Sequence, residues 1–503
     1  MINLPDFTPL KTTQVAGHTT RKTLDSLDHA LIIIPKNPPE LLFKHLPQGQ
    51  QIKRILQKKS RAGEEIAHLR INNAKATTIT ISFNTAGTTY NQLCWARNLI
   101  AACNHENPSN LGLLVLGLNE LDRIKVVSAL TAAAEAEAFK LPVFKTKTKT
   151  KTRLKHLRIL SSESRISLDS IQAQSLGNNI ARWFTALPPN ILDARKYFDL
   201  IDELCGQYSI EHSILNESTL KKLGANAFLA VSQGNAARDA GIIKLKYRPN
   251  GEEPADLMLI GKGILFDTGG NNLKPFKSML DMHMDMGGSA VALGTLIALA
   301  SLKVPYSIDA WLAVTENRIS ATAYKSQDII KSANGTTIQV IHTDAEGRMV
   351  LADTLALAAR ENPKIIIDYA TLTGTCVSAL TERYSGIFSN RTKANKILYL
   401  AGVKSGERVW PFPMDEDFDE LIKSNVADIK QCSEIGYGDH ILAARFLSKF
   451  VPNEIPWIHL DMSAGQHKGG LAHIPSEITG FGVKLTLELL SESNPTELVE
   501  KLR

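Results

Sequence analysis

Cysteine is scarce in this chain, and what there is lies scattered. Cys94, Cys103, Cys205, Cys376 and Cys432 are odd in number, and no close pair suggests a zinc knuckle or a disulfide framework. That usage fits a reducing compartment. Also missing is any uninterrupted apolar run of about 18 residues, and Met1 to Thr20 has no basic region followed by an apolar core. Neither a membrane partner nor export is therefore expected, and the expected location is the cytoplasm. No H-E-x-x-H segment is present, which disfavours a mononuclear zinc peptidase of the helix type. No G-x-x-x-x-G-K-S/T loop supports nucleotide binding, and there is no internal repeat.

Length is not in short supply. At 503 residues, 44% of them hydrophobic, the chain exceeds one ordinary core and divides into about two domains. Charge is unevenly spread: residues 1–165 carry 24 Lys and Arg against 12 Asp and Glu, whereas residues 166–503 carry 33 against 39. A basic front and an acidic back suit either weak nucleic-acid binding by the front domain or complementary contact between the halves.

The front part alternates strand-like segments, at Leu31 to Ile34, Thr78 to Phe83 and Leu111 to Leu116, with a helix expected over Tyr90 to Cys103. This predicts a small N-terminal α/β domain over residues 1–165. The Lys/Thr run within 145–155 has no apolar face to bury and reads as a loop near the boundary. Residues 166–503 predict a larger α/β/α catalytic domain with a mixed central sheet. In it, Leu257 to Ile260 reads as a buried strand that delivers Lys262 and Asp267 from its carboxyl end, where open α/β sheets keep their ligands. A small-residue helix is expected from Ser289 to Leu302. Ile338 to His342 reads as a strand, and continued extension would turn Asp344 and Glu346 to one side. A helix over Met349 to Ala359 and a strand over Lys364 to Asp368 follow.

Three Gly-punctuated segments carry the chemistry. They are Gly261-Lys262-Gly263-Ile264-Leu265-Phe266-Asp267-Thr268-Gly269-Gly270, Asp281-Met282-His283-Met284-Asp285-Met286-Gly287-Gly288 and Thr343-Asp344-Ala345-Glu346-Gly347-Arg348. Asp267 alone would be an ordinary turn residue, since Asp close to Gly is a common turn signal. Four carboxylates beside apolar runs are harder to explain without a shared cation, because isolated charges are costly to desolvate. Two divalent ions about 3.5–4 Å apart need bridging carboxylates, and Asp267, Asp285, Asp344 and Glu346 supply enough oxygens. An ammonium cannot ligate a metal until it loses its proton, which a neighbouring double positive charge permits.

These segments closely resemble the leucyl (cytosol) aminopeptidase family, with hallmark strings of the form GKG-x-x-FD-S/T-GG, K-x-D-M-GG and NTDAEGR. The resemblance runs from about Ala181 to near Leu490 and includes Pro188-Pro189-Asn190 and Asp368-Tyr369-Ala370-Thr371-Leu372-Thr373-Gly374. It implies a metalloprotease, a hydrolase that removes amino-terminal residues from peptides with a free amino terminus. Two metal ions, zinc or manganese, or else magnesium, would hold a bridging hydroxide. One metal would be bound by Asp267, Asp344 and Glu346, the other by Lys262, Asp267, Asp285 and Glu346. Lys274 would stabilise the oxyanion, and Arg348 would hold a bicarbonate acting as general base. Leu372 would offer a backbone group near that anion, while Met282, Thr371 and Gly374 would shape a pocket for an apolar first residue such as Leu or Met. The assembly implied is a homohexamer.

Departures are His342, His283 and Asn271-Asn272, none of them a ligand, and Asp461 to Lys468, which replaces a shorter pattern. His467 or Lys468 at the pocket mouth would instead favour acidic first residues. Two rival readings are a DNA-binding or structural protein on a peptidase fold, and a phosphotransferase, because Asp267-Thr268-Gly269-Gly270 is also similar to the phosphate loop of actin-like enzymes. Retention of every metal position argues against the first and the missing phosphate loop against the second.

Overall fold

The computed structural model describes residues 2–502 except 18–20, 45, 47, 62–65, 74, 85–86, 148–153, 161–163 and 252–253. The chain forms two compact units, and neither is a continuous stretch. One comprises Thr8–Ser175 with Gly469–Ser476, the other Met1–Phe7, Leu176–Lys468 and Glu477–Arg503. The boundary thus falls inside the helix Asp169–Thr185 and not at 165. Most of the Lys/Thr run, residues 148–153, lies outside the described residues.

The smaller unit is a six-stranded sheet of β1 (Lys11–Val15), β2 (His29–Ile34), β3 (Ile66–Arg70), β4 (Thr78–Phe83), β5 (Asn110–Val115) and β6 (His156–Leu160). Their order is β1-β6-β5-β2-β4-β3, parallel except for the edge strand β3. Residues along β2 alternate between two cores. Leu31 and Ile33 pack with Leu99, Val126 and Leu130, while Ala30, Ile32 and Ile34 pack with Phe43, Ile52 and Leu56. A strand covered on both faces must be apolar at consecutive positions, which is why His29-Ala30-Leu31-Ile32-Ile33-Ile34 does not alternate with polar residues. The helix Thr89–Asn104 starts where Thr88 accepts the Asn91 amide, and Glu120–Ala138 where Asn119 accepts that of Asp122. Ala472 joins this unit's core, and Arg97 Nη1 donates to the Ile474 carbonyl at 3.1 Å.

The larger unit is built on β7 (Glu211–Asn216), β8 (Gly241–Tyr247), β9 (Leu257–Asp267), β10 (Ile308–Asn317), β11 (Ile329–Lys331), β12 (Thr337–Gln339), β13 (Ile365–Ala370), β14 (Ser385–Ser389), β15 (Val409–Pro411), β16 (Ile429–Lys430) and β17 (Trp457–Asp461). Eight form a mixed sheet in the order β15-β14-β17-β13-β9-β10-β8-β7, and β11, β12 and β16 form a separate small one. The middle of the large sheet, β17, β13, β9 and β10, is parallel. Alternation along β9 shows how helices cover both faces. A Cβ added to Gly261 would stand 2.4 Å from Ser289 Cα in the helix Gly287–Ser301, whereas Lys262, one residue on, lies against Gly347 in the helix Glu346–Ala359. Gly261 is therefore the one residue type that lets the first helix lie so close. Phe276–Ser301 has the length and hydropathy of a membrane span, yet 89% of its apolar window is buried inside the unit, as for a core segment.

Two expectations about local structure need correction. β9 continues to Asp267, so Lys262 projects from mid-strand and only Asp267 stands at the carboxyl end. The strand before Asp344 ends at Gln339 in the small sheet, and Glu346 opens a helix. Asp344 and Glu346 converge through a turn and not by strand alternation.

Candidate metal centre

The carboxyl ends of the parallel strands supply the site. Asp267 ends β9 and pairs in register with Asn317 at the end of β10, just past an irregularity after Thr315. Asn317 Nδ2 donates to Asp267 Oδ1 at 2.8 Å, as does the Gly269 amide at 2.8 Å. These bonds fix one carboxylate oxygen and leave Oδ2 facing Lys274 Nζ at 2.8 Å. Lys274 also reaches Asp344 Oδ1 at 2.6 Å. Lys262 Nζ meets Asp285 Oδ1 at 2.8 Å, Glu346 Oε1 at 3.0 Å and the Thr371 carbonyl at 2.8 Å, with only 3% of its side chain exposed. Thr371 Oγ1 donates to Asp285 Oδ1 at 2.7 Å.

Asp267, Asp344 and Glu346 each bring one oxygen to a common point, with all three atoms within 4.8 Å of one another. Asp285 Oδ2 and Glu346 Oε2 are buried and find no hydrogen-bond partner among the described residues. Buried carboxylate oxygens without donors are expensive, and a shared cation resolves the cost. The same crowding shows in the titration. Burial, with neighbouring negative charge, pushes Asp285 up to about 8 and Asp344 up to about 7, and it raises Glu346. Burial alone would lower Lys262 and Lys274, but the carboxylates around them outweigh it and hold both ammonium groups charged.

A cavity of about 330 Å³ opens on this cluster. Lys262, Lys274, Asp267, Asp285, Asp344 and Glu346 line it, together with Met282, Thr371, Leu372 and Gly374, so these sequence-selected residues share one space. Arg348 does not. It is buried two residues beyond Glu346, and its terminal nitrogens are bound by Asp439, Nη1 to Oδ1 at 2.9 Å and Nη2 to Oδ2 at 2.5 Å. Burial would raise the Asp439 carboxyl, but the guanidinium draws it below the usual carboxylate range. Of the altered stretch, Ser463, Gly465 and Gln466 line the cavity, whereas Lys468 is exposed outside it.

Several further residues support the site without having been assigned a role from the sequence. Asp461 ends β17, and its carboxylate accepts the Thr373 hydroxyl at 2.6 Å and the Leu372 and Thr373 amides at 3.3 Å each. Thr343 Oγ1 donates to the Gly269 carbonyl at 2.6 Å, which ties two of the motif segments together. Gln431 accepts the Ile341 and His342 amides and donates to the Ala345 carbonyl. Asn317 and Asp461, the last residues of the apolar strands β10 and β17, could have been picked out by the rule that strand ends carry the site.

The parallel strands of the mixed sheet thus end in a carboxylate cluster threaded by two lysines, Lys262 buried and Lys274 half-buried. The chain belongs to the cytosol aminopeptidase family, whose catalytic domain matches residues 179–487. A probable cytosol aminopeptidase of Syntrophotalea carbinolica is 40% identical over 324 residues, which are 64% of this chain and 65% of that protein, so the chain spans just under two thirds of that relative's length. A second, from Wolbachia pipientis wMel, is 35% identical over 393 residues, 74% of this chain and 78% of the relative. Among solved structures, a mutant of tomato leucine aminopeptidase superposes with a TM-score of 0.83 at 27% identity, covering 98% of each chain. The bottromycin maturation enzyme BotP in complex with Mn, at 24% identity and a TM-score of 0.77, covers 92% of this chain and 99% of its own and shares the fold.

Proposed function

We propose that this chain is a dinuclear metal-dependent aminopeptidase that hydrolyses the first residue from peptides with a free amino terminus. The observation that carries the reading is the convergence of Asp267, Asp344 and Glu346 within 4.8 Å beside Asp285 and Lys262, at the floor of a cavity. One ion would be held by Asp267, Asp344 and Glu346 and the other by Lys262, Asp267, Asp285 and Glu346, so that Asp267 and Glu346 bridge. The unpartnered oxygens of Asp285 and Glu346 support that fit. When bound, such ions polarise the substrate carbonyl and make water nucleophilic near neutral pH. Oxygen-rich ligation admits zinc, manganese or magnesium.

The chain's own side chains do the rest. Lys262 would have to give up its proton to join the ligand set, which a neighbouring double positive charge permits. Lys274 stays charged, held by Asp267 and Asp344, and donates to the oxygen on which negative charge develops. Met282, Thr371, Leu372 and Gly374, with Met462 beside them, bound an apolar pocket for the first side chain. Asp281, Glu382 and Asp461 also line the cavity, and like charges disfavour acidic first residues there. Preference for Leu, Met and similar residues follows, with broad tolerance because one methylene is worth only about 1–3 kcal/mol. Bicarbonate at Arg348, the other part of the expected machinery, meets a guanidinium fork already taken by Asp439. A homohexamer in the cytoplasm completes the proposal.

The test is direct. Exhaustively chelated protein, checked for residual metal by mass spectrometry, should lose the ability to cleave leucyl peptides and regain it with manganese or zinc, while acetylated peptides stay intact throughout. Asp344→Asn should lose more than about a thousandfold in turnover, the scale of losing a catalytic unit. Cleavage of acetylated peptides, or full turnover by metal-free protein, defeats the proposal.

A further inference from the structure

The family resemblance brings a diffusible planar anion to Arg348, and the geometry around that guanidinium does not fit one. Its two terminal nitrogens, the outer edge of the guanidinium on which a planar anion could be held by two parallel bonds, are both engaged by Asp439 at 2.9 and 2.5 Å. Nη1 is shared further with the Gln431 carbonyl at 3.2 Å. The other edge, Nε with the second hydrogen of Nη2, has Nε buried without a partner among the described residues, and it belongs to a side chain that does not line the cavity from which an anion would enter. Arg348 is 2% exposed and Asp439 25%.

Asp439 is also well placed to stay. It is the first residue of the helix Asp439–Ser448, where the exposed amides favour a carboxylate. Its neighbour His440 is anchored by its amide and Nδ1 to Thr375 Oγ1 at 2.9 and 3.0 Å. The pair bears on the turn that carries two of the carboxylates. Arg348 stands in the first turn of the helix opened by Glu346, and Gln431, whose carbonyl accepts from Arg348, donates to Ala345 between Asp344 and Glu346.

We infer that Asp439 is a built-in counter-anion for Arg348, which fixes the Asp344 to Glu346 turn and takes the place of bicarbonate, so that the protein works without that ion. The inference rests on the aminopeptidase reading of the site. Asp439 is a positioning residue here, acting through Arg348.

The experiment uses the full-chain, metal-loaded protein in carbon dioxide-free buffer, with and without added bicarbonate. Wild-type kcat/KM for a leucyl peptide should not respond. Asp439→Ala should lose about 10- to 100-fold in kcat, the range in which outer partners of metal ligands act, with KM little changed. Bicarbonate, formate or acetate should restore it saturably, which a merely structural loss would not allow. Asp439→Asn, which keeps the shape, should show the same loss, and Asp439→Glu should retain part of the activity. A second readout is independent of turnover: 13C-bicarbonate resonances should broaden with Asp439→Ala and not with wild type. Wild-type activity that falls on bicarbonate removal, bicarbonate binding to the wild type, or a folded, metal-replete Asp439→Ala that is either fully active or beyond rescue would each overturn the inference. If no form of the protein cleaves peptides, the aminopeptidase proposal fails, while the resonance measurement still decides whether Asp439 occupies the anion's place.

Discussion

Gly347→Ala adds one methyl group at the most crowded point of the site. Its Cβ would lie 2.5 Å from Lys262 Cε, 2.7 Å from Nζ and 2.9 Å from Cδ. Carbon atoms settle about 3.5–4.0 Å apart, so Lys262 must withdraw by about 1 Å. It has little room, because Asp285, Glu346 and the Thr371 carbonyl hold its ammonium at 2.8, 3.0 and 2.8 Å. Overpacking of this kind costs about 1–3 kcal/mol. Alanine in place of glycine in a helix returns about 1 kcal/mol, so the net destabilisation is about 0–2 kcal/mol. Catalysis should suffer more, since a misplacement of about 1 Å costs about 100-fold. Expected, then, is a melting temperature within a few degrees of wild type by calorimetry (of order 1 kcal/mol in a unit of this size), fewer than two metals per chain by elemental analysis, and kcat/KM down about 100-fold. A variant with two bound metals and wild-type kcat/KM would show that Lys262 is not held where the structure puts it.

Chelated protein should become less stable between about pH 5.5 and 8.5. The folded-state values of Asp285 (about 8) and Asp344 (about 7) lie above the ordinary carboxylate value of 3.8, so the native state binds more protons than the unfolded one across this window. Their contribution is complete below the unfolded value and disappears as the pH rises through the folded ones. Both lysines stay protonated throughout the window, folded or unfolded, and add no slope. Thermal melts with and without manganese check this, and a chelated protein whose melting temperature rises with pH would contradict it. In a substrate panel, Leu and Met peptides should exceed Glu and Asp in kcat/KM, with Lys468→Ala leaving the order unchanged; acidic preference lost in that variant would reverse the pocket assignment. The basic charge of residues 1–165 predicts weak, sequence-tolerant nucleic-acid binding that salt abolishes. Anisotropy titrations at low salt that detect none would dismiss it.

What could be read from the residues was the part written in consecutive positions. Lys262, Asp267, Asp285, Asp344 and Glu346 stand in short glycine-rich strings, and the apolar runs of β2, β4, β5 and β9 announce strands buried on both faces. The extension expected beyond Ile338 to His342 does not reach Glu346, and the apolar run gives no sign that the strand ends at Gln339. The helix start has no side-chain cap at Ala345 and so no local signal. Asp439 was invisible for another reason: its significance comes from Arg348, 91 residues away, and no local pattern encodes a contact of that range. The same holds for Gln431, which holds backbone amides and a carbonyl of a distant loop.

The interleaving of the two units has a consequence for synthesis. Gly469–Ser476 is synthesised long after Ser175, yet it supplies Ala472 to a core whose other residues precede Ser175. Met1–Phe7, made before the small unit, belong to the larger one, most of which follows it. A nascent chain therefore holds an incomplete small unit while the larger one is translated, and the bond from Arg97 to Ile474 cannot form until that late segment has been made. A single cut after Ser175 would accordingly yield no two whole units, but one lacking its late segment and another lacking its first seven residues.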